Sequence, residues 1–354
     1  MSRLEAIAPE RSSLAAVAAV IPRELARPST GRAMACLLLA LAESGLAVAF
    51  GVWVWREQYQ LLYPLAWFLG GFALTAFFVI GHDCGHYSFL KNRPVMVALG
   101  HLLFLPLLYP FYAWKFSHDA HHKFTNRLHR TADIYFDNAW IPETVADHKR
   151  ERQNRPLLAA LYRIARRIPP LGSLMHLIAY LYDARLYRPE HRRRVLLSQA
   201  FVLAGALALG ALIYGLTDSA FALLHFWLLP ALVFQLWMSF YTYLHHTAED
   251  IAYYPPEQWS PYLAQVRCTV NCLFPRWISF LHFNIDVHIP HHIMAGIPGY
   301  NLRQANAALR ASPFAGDMRQ FRLTWRHLLR QWRACQLWDP ERASYARFVE
   351  TESS

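Results

Sequence analysis

Four stretches of this 354-residue chain are apolar for about as long as a helix needs to cross a bilayer. Ala33 to Trp55, Leu61 to Ile80, Val195 to Leu216 and Ala220 to Leu244 each meet the requirement of roughly 20 residues for a hydrocarbon core. Backbone in lipid must satisfy its own hydrogen bonds, so these runs read as helices. A hydrophobic fraction of 55% with 15% aromatic residues excludes an ordinary soluble domain. The expected fold is an all-α membrane protein with four transmembrane helices and a cytoplasmic helical cap. Residues 1–32 form a cytoplasmic N-terminal segment, residues 33–248 the transmembrane and interfacial helices, and residues 249–354 the C-terminal cap.

The segments between the runs set the orientation. Arg3, Glu5, Glu10 and Arg11 precede any long apolar run, unlike a secretory leader, so the N-terminus is expected in the cytoplasm. From Lys115 to Arg194 the chain is basic, whereas the expected outer links carry Arg56 in one and no Lys or Arg from Leu216 to Ser219 in the other. Basic loops stay cytoplasmic. Leu157 to Tyr187 mixes apolar residues with Arg163, Arg166 and Arg167 around Pro169-Pro170, as an interfacial amphipathic segment does. Trp and Arg interleave again near Trp325 to Arg333. Beside four spans, that pattern and the net charge of +11 point to anionic headgroups and not to nucleic acid. Glu43, inside the first run, should face the bundle as a hydrogen-bonded residue. The five cysteines are scattered and read as reduced and structural.

Histidines sit at the ends of these runs. One cluster is His82-Asp83-Cys84-Gly85-His86, a second His118-Asp119-Ala120-His121-His122, and a third Asp286-Val287-His288-Ile289-Pro290-His291-His292. Helical spacing of three and four lets such rings share a face, so eight imidazoles are offered to one centre. Imidazole suits iron, zinc, copper or nickel and not magnesium or calcium. Eight ligands exceed one tetrahedral zinc, so two ions fit the count better. The fourth run ends in His245-His246, either of which is a candidate ninth ligand. If both early clusters serve one centre, Val95 to Trp114 between them enters and returns, or lies within the bundle interface, without spanning. His101 within it reads as a satisfied buried histidine.

These strings resemble those of the membrane fatty acid desaturases, and among them the acyl-lipid omega-6 (Delta-12) group. The resemblance rests on Gly81 to His86, Tyr109-Pro110-Phe111 through Trp114 to Asn126, Asp137-Asn138-Ala139-Trp140, His245-His246-Thr247, and Val287 to His292 with Ile297-Pro298 and Tyr300 to Arg303. It implies a four-span fold and a non-haem centre of two Fe ions using O2 to remove two hydrogens from an acyl chain. The ligands it implies are His82, His86, His118, His121, His122, His288, His291 and His292, with His246 preferred over His245 as the ninth. An unactivated methylene offers no acidic proton and no leaving group, so the chemistry belongs to a metal and O2. Asp83, Asp119 and Asp286 lie beside ligand histidines and are candidate acceptors for their second ring N–H.

Two electrons are needed per turnover, and the chain carries no flavin, haem or iron–sulfur motif. The resemblance implies a ferredoxin as donor and an acyl lipid as substrate, while the basic loop offers an acidic donor a complementary surface and sets the expected active site on the cytoplasmic face of the inner (plasma) membrane. The third cluster departs from close relatives at Ile293-Met294-Ala295-Gly296, and Gly299 lies in a segment expected to line the acyl path. A carotenoid ketolase or hydroxylase and an acyl acetylenase share the histidine pattern and stand as alternatives. A metal transporter would place its ligands nearer mid-membrane.

Overall fold

Helix Tyr63–Gly85 (α2) is the axis around which the other elements pack, in a computed structural model that describes residues 13–352. The residues from Arg3 to Arg11, on which the N-terminal reading rested, lie outside the described residues. On one side of α2 lies Thr30–Arg56 (α1), on the other the last span, and beyond them a third long helix. Among the described residues, four helices are long and apolar enough to cross a membrane: Thr30–Arg56, Gln60–Gly85, Pro189–Thr217 and Ala220–His246. All four expected spans are present, each extended by a few residues at one end or both. The extension matters at the second and fourth, because it carries His82, His245 and His246 on the last helical turns.

Small residues let the spans approach closely, as they do in bilayers. A Cβ at Gly71 of α2 would lie 2.5 Å from Cβ of Val233, and one at Gly70 would lie 3.0 Å from Pro230. Pro230 sits inside the fourth span and cannot donate a backbone hydrogen bond. The helix accommodates it with a wider π-type turn at Leu224–Leu228. Glu43 turns partly inward, yet its carboxylate oxygens find no hydrogen-bond partner among the described residues, unlike the sequence-based expectation.

Arg93–Phe104 (α3), continued by a tighter turn at Leu105–Leu107, and Phe111–Phe124 (α4) follow α2, bent from one another by 98° at residues 108–110. The bend has local causes: Pro106 and Pro110 interrupt the helical bonding, and Leu108 adopts a left-handed backbone with φ of 61°. Phe104 stacks on Phe78 of α2 at 5.4 Å, and a Cβ at Gly81 would meet the Phe104 ring at 2.3 Å. The bent pair therefore packs against α2. His101 is half-buried, with one ring nitrogen at 2.8 Å from the Val97 carbonyl and the other at 2.9 Å from Ser198 Oγ.

Val145–Asn154 (α5), Pro156–Arg167 (α6) and Pro169–His176 (α7) connect to the third span, Pro189–Thr217 (α8). α6 has the two-faced character expected at an interface: Leu157, Leu161 and Ile164 are exposed while Ala159, Ala165 and Arg166 are buried. The fourth span, Ala220–His246, is α9. Residues 249–352 then carry Arg276–Leu281 (α10), Ile289–Ile293 (α11), Leu302–Arg310 (α12) and Trp325–Ala334 (α13).

Four short strands join these helices and were not foreseen. Val270–Leu273 (β1) pairs in parallel with Arg319–Arg322 (β2), and Leu337–Asp339 (β3) pairs antiparallel with Ser344–Ala346 (β4). One continuous core runs from Ala33 in the first span to Leu328 in α13. Arg166 ties α6 to the C-terminal segment by donating to the carbonyls of Trp140 at 3.0 Å and Cys335 at 2.8 Å.

Candidate metal centre

Consecutive histidines on one helix point about 100° apart, because 3.6 residues make a turn. The second cluster uses that divergence to serve two points. His118 and His122 join His82, His86 and His291 in one group, while His121 turns away to join His246, His288 and His292 in another. The third cluster divides the same way, His291 to the first group and His288 and His292 to the second. Within each group the ligand atoms lie within 4.8 Å of one another. All nine histidines singled out from the sequence are thus brought together. His245 is in neither group; its ring stacks on His288 with centroids 3.8 Å apart.

The donor set fits a pair of transition-metal ions. Nε2 of His82 lies 3.1 Å from Nε2 of His291, which lies 3.0 Å from Nε2 of His122. Nε2 of His246 lies 3.1 Å from that of His121 and 3.2 Å from that of His288. Separations near 3.0 Å are those of neighbouring ligand atoms about a cation held at roughly 2.1 Å. Three rings have their protons placed by partners on the far side. His82 Nδ1–H donates to Asp83 Oδ1 at 3.1 Å, His121 Nδ1–H to Asp137 Oδ1 at 2.8 Å, and His292 Nδ1–H to Gln265 Oε1 at 2.6 Å. Their Nε2 atoms are then bare lone pairs aimed at the two centres. Nε2 of His86 is buried with no hydrogen-bond partner, an orphaned acceptor that a cation would satisfy.

The three aspartates proposed as outer partners divide. Asp83 takes that place, and Gly299 N–H holds its other oxygen at 2.7 Å. Asp119 points to the surface and pairs with Lys115 at 2.8 Å, because its place on α4 faces away from the converging rings. Asp286 accepts from Ser279 Oγ at 2.6 Å and from Phe274 N–H at 3.1 Å, so it braces the chain before His288 without touching a ring. Asp137, Gln265 and Asn271 had been given no role. Asn271 on β1 accepts with Oδ1 from the N–H groups of His288 and Ile289 at 2.7 and 2.8 Å, which fixes the start of α11. These partners stand more than ten residues from the rings they serve, and no local spacing announces them.

Burial holds the His288, His291 and His292 imidazoles well below their usual range, and neighbouring rings add to the effect. The same desolvation brings His176 down to about 4 and His282 to about 3. Neutral rings are what a metal needs. The sign for stability follows. The unfolded chain takes up protons first as pH falls below about 6.5, so the metal-free fold loses stability from there towards pH 3–4 and is indifferent above. The Tm of metal-free protein should be flat from about pH 7 to 8 and fall steadily below about pH 6.5; a Tm unchanged down to about pH 4 would contradict this.

A cavity of about 390 Å³ adjoins the centre. His82, His118, His121, His246 and His288 share its wall, Thr75, Phe78, Val79 and Met238 continue it along α2 and α9, and Ile285 adds to it from the segment before α11. Leu158 of α6 and Met175 and Ala179 of the α7 segment line it and are also exposed, so its mouth is bordered by apolar surface. Gly299, in a segment expected to line an acyl path, does not line this cavity, nor do Ile293 to Gly296; Gly299 serves the Asp83 carboxylate instead.

Comparison with known proteins accounts for this arrangement. A family model described as fatty acid desaturase matches residues 60–338, a span that holds both histidine groups. The sn-1 oleoyl-lipid 12-desaturase of Synechocystis sp. is 38% identical, covering 91% of this chain and 88% of the relative. That of Arthrospira platensis is 41% identical over 75% of this chain and 71% of its own length. The chloroplastic omega-6 fatty acid desaturase of Spinacia oleracea is 34% identical over 94% of this chain and 72% of the relative. Since the residues matched by the family model build three of the four spans, the converging rings and the cavity beside them, the chain belongs to the fatty acid desaturase family of membrane oxidoreductases.

Proposed function

We propose that this desaturase uses two iron ions and O2 to introduce a cis double bond at the Delta-12 (omega-6) position of an oleoyl chain carried on a membrane glycerolipid. The observation that carries the reading is the cavity: an apolar passage that runs past both histidine groups and opens between exposed apolar residues of α6 and α7. An acyl chain still attached to its lipid can enter such a mouth sideways from the bilayer. The nine histidines are proposed as the ligands, His246 among them because its Nε2 faces His121 and His288 while His245 stacks outside.

Iron bound there supplies the oxidising chemistry of O2 that takes hydrogen from an unactivated methylene. The residues of the chain do the rest. Phe78, Val79 and Met238 hold the acyl chain out of water, and the carboxylates of Asp83 and Asp137 fix the tautomer of the rings they touch. Arg130, Glu143 and Arg166 line the cavity on the side of the 130–166 segment, where the polar ester end of a lipid is best accommodated. The names of the relatives favour an oleoyl lipid as substrate. The charge distribution favours an inner-membrane location with the centre on the cytoplasmic side, and electrons come from a ferredoxin.

Expression in a bacterium that lacks polyunsaturated lipids, with ferredoxin and its reductase supplied, tests the reading. Gas chromatography–mass spectrometry of derivatised lipids should reveal a new diene with its second double bond at carbon 12. Well-expressed, metal-loaded protein that leaves every acyl lipid unchanged would overturn it.

A further inference from the structure

The two histidine groups are unequally shielded. All four rings of the second group are buried, whereas His86, His118 and His122 of the first are only partly so. The surface that comes nearest to the metals is therefore the one beside these three rings. Tyr87, the residue after ligand-bearing His86, lies on that surface. Its backbone is left-handed, with φ of 56°, and its N–H donates to the Cys84 carbonyl at 3.1 Å. That geometry turns the chain sharply at the end of α2 and sets a half-buried aromatic ring at the surface.

Cations surround the ring. Lys115 Nζ stands 4.8 Å from its centroid and the Arg93 guanidinium 5.2 Å. The exposed cation of α4 is Lys123, eight residues or about 12 Å beyond the largely covered Lys115. Asp119 interrupts the patch and is matched by Lys115. Arg93 lies over the Tyr87 ring and Lys123 over those of Phe124 and Tyr135, contacts that leave both positive charges unneutralised.

We propose that Tyr87, Arg93, Lys115 and Lys123 form the docking surface of an acidic one-electron carrier protein, with the carrier's redox centre set against Tyr87 and His86. The proposal rests on the desaturase reading, which fixes the electron balance. One O2 takes four electrons and four protons to become two waters. Two electrons and two protons leave with the substrate's C–H hydrogens as the C=C bond forms. The other two electrons come from two reduced carriers, each oxidised once, and the other two protons from solvent. The positive rim draws in a carrier of opposite charge and orients it, and the path inward passes from Tyr87 to a metal ligand across one peptide bond.

The test uses the full-length chain purified without metal and a plant-type [2Fe–2S] ferredoxin as probe. At low salt, Arg93→Glu/Lys123→Glu should weaken ferredoxin binding at least tenfold, and the difference should shrink as salt is raised, since screening removes it. Arg152→Glu/Arg155→Glu on and beside α5, an equal charge change elsewhere, should leave the affinity within about twofold. Tyr87→Asn, chosen because asparagine tolerates a left-handed backbone, should bind ferredoxin nearly as before. In the metal-loaded protein it should slow reduction by ferredoxin about tenfold while reduction by dithionite keeps its rate. Unchanged ferredoxin affinity in the Arg93/Lys123 variant overturns the proposal, as does weakened binding to phosphatidylglycerol vesicles in its place, which would make the patch a membrane contact. Parent protein that binds ferredoxin with this charge dependence, yet forms no double bond with ferredoxin or dithionite, would leave the surface standing and remove the desaturase reading.

Discussion

Protein in which His291 is replaced by alanine is expected to hold at most one tightly bound metal ion and to lose desaturation by more than the roughly 100-fold that loss of an outer partner costs. Nε2 of His291 lies within 3.1 Å of the Nε2 atoms of both His82 and His122, so it links the first and second clusters in one group. It is the ring through which α11 reaches the group held by α2 and α4. Truncation leaves four imidazoles spaced for a fifth that is gone, beside His86 Nε2, which already has no protein partner. The second group shares no ligand with the first and should keep its ion. Metal content by mass spectrometry, with lipid analysis in parallel, checks both parts. His101→Ala serves as control, because His101 is half-buried on α3 and bonded to Val97 and Ser198. It should retain two ions.

Asp137→Asn is expected to lower metal affinity or activity by about 10- to 100-fold, the range seen when an outer-sphere carboxylate is lost. The Asp137 carboxylate accepts from His121 Nδ1–H at 2.8 Å, from Asn126 N–H at 2.6 Å and from Ala139 N–H at 3.1 Å. It is buried, so three charge-assisted bonds converge where water cannot substitute. The amide keeps the shape and loses the charge, which weakens the lone pair that His121 presents from its other nitrogen. Asp119→Asn provides the contrast. Asp119 faces solvent beside Lys115, and its substitution should leave metal content unchanged. Titration of metal-free protein with Fe2+ distinguishes the two, and equal affinities would remove Asp137 from the centre.

The parts of this molecule that depend on length and period were legible in the sequence. Each span declared itself by an apolar run that only a bilayer accepts, and the bend between α3 and α4 by prolines between two histidine clusters. Where the helices stop was harder to read. α2 continues through His82 because polar residues that look like a loop in sequence are buried among other rings in the fold. The nine converging histidines were legible through clustering and resemblance together, and their division into two groups was not. His121 and His122 are neighbours in sequence and part company because a helix turns about 100° per residue. A one-dimensional spacing rule treats intervals of three and four as equivalent and misses this.

The outer partners were the least legible. Asp83 lies next to the ring it serves, whereas Asp137 is sixteen residues from His121 and reaches it across a loop. Asn271 arrives from a strand of four residues whose partner is nearly fifty residues away. Such strands carry too few residues to show alternation, and they form because flanking helices bring them together. Asp119 and Asp286 had the right neighbours in sequence and the wrong direction in space.

The central claim is that this chain holds two metal ions through histidine nitrogen alone. X-ray absorption spectroscopy on iron-reconstituted protein, with the metal counted per chain, measures it directly. The account predicts two ions per chain, each in a shell of nitrogen ligands with at most added water oxygen, and no sulfur despite Cys84 lying between His82 and His86. One ion per chain, or a sulfur or carboxylate-dominated shell, would contradict it.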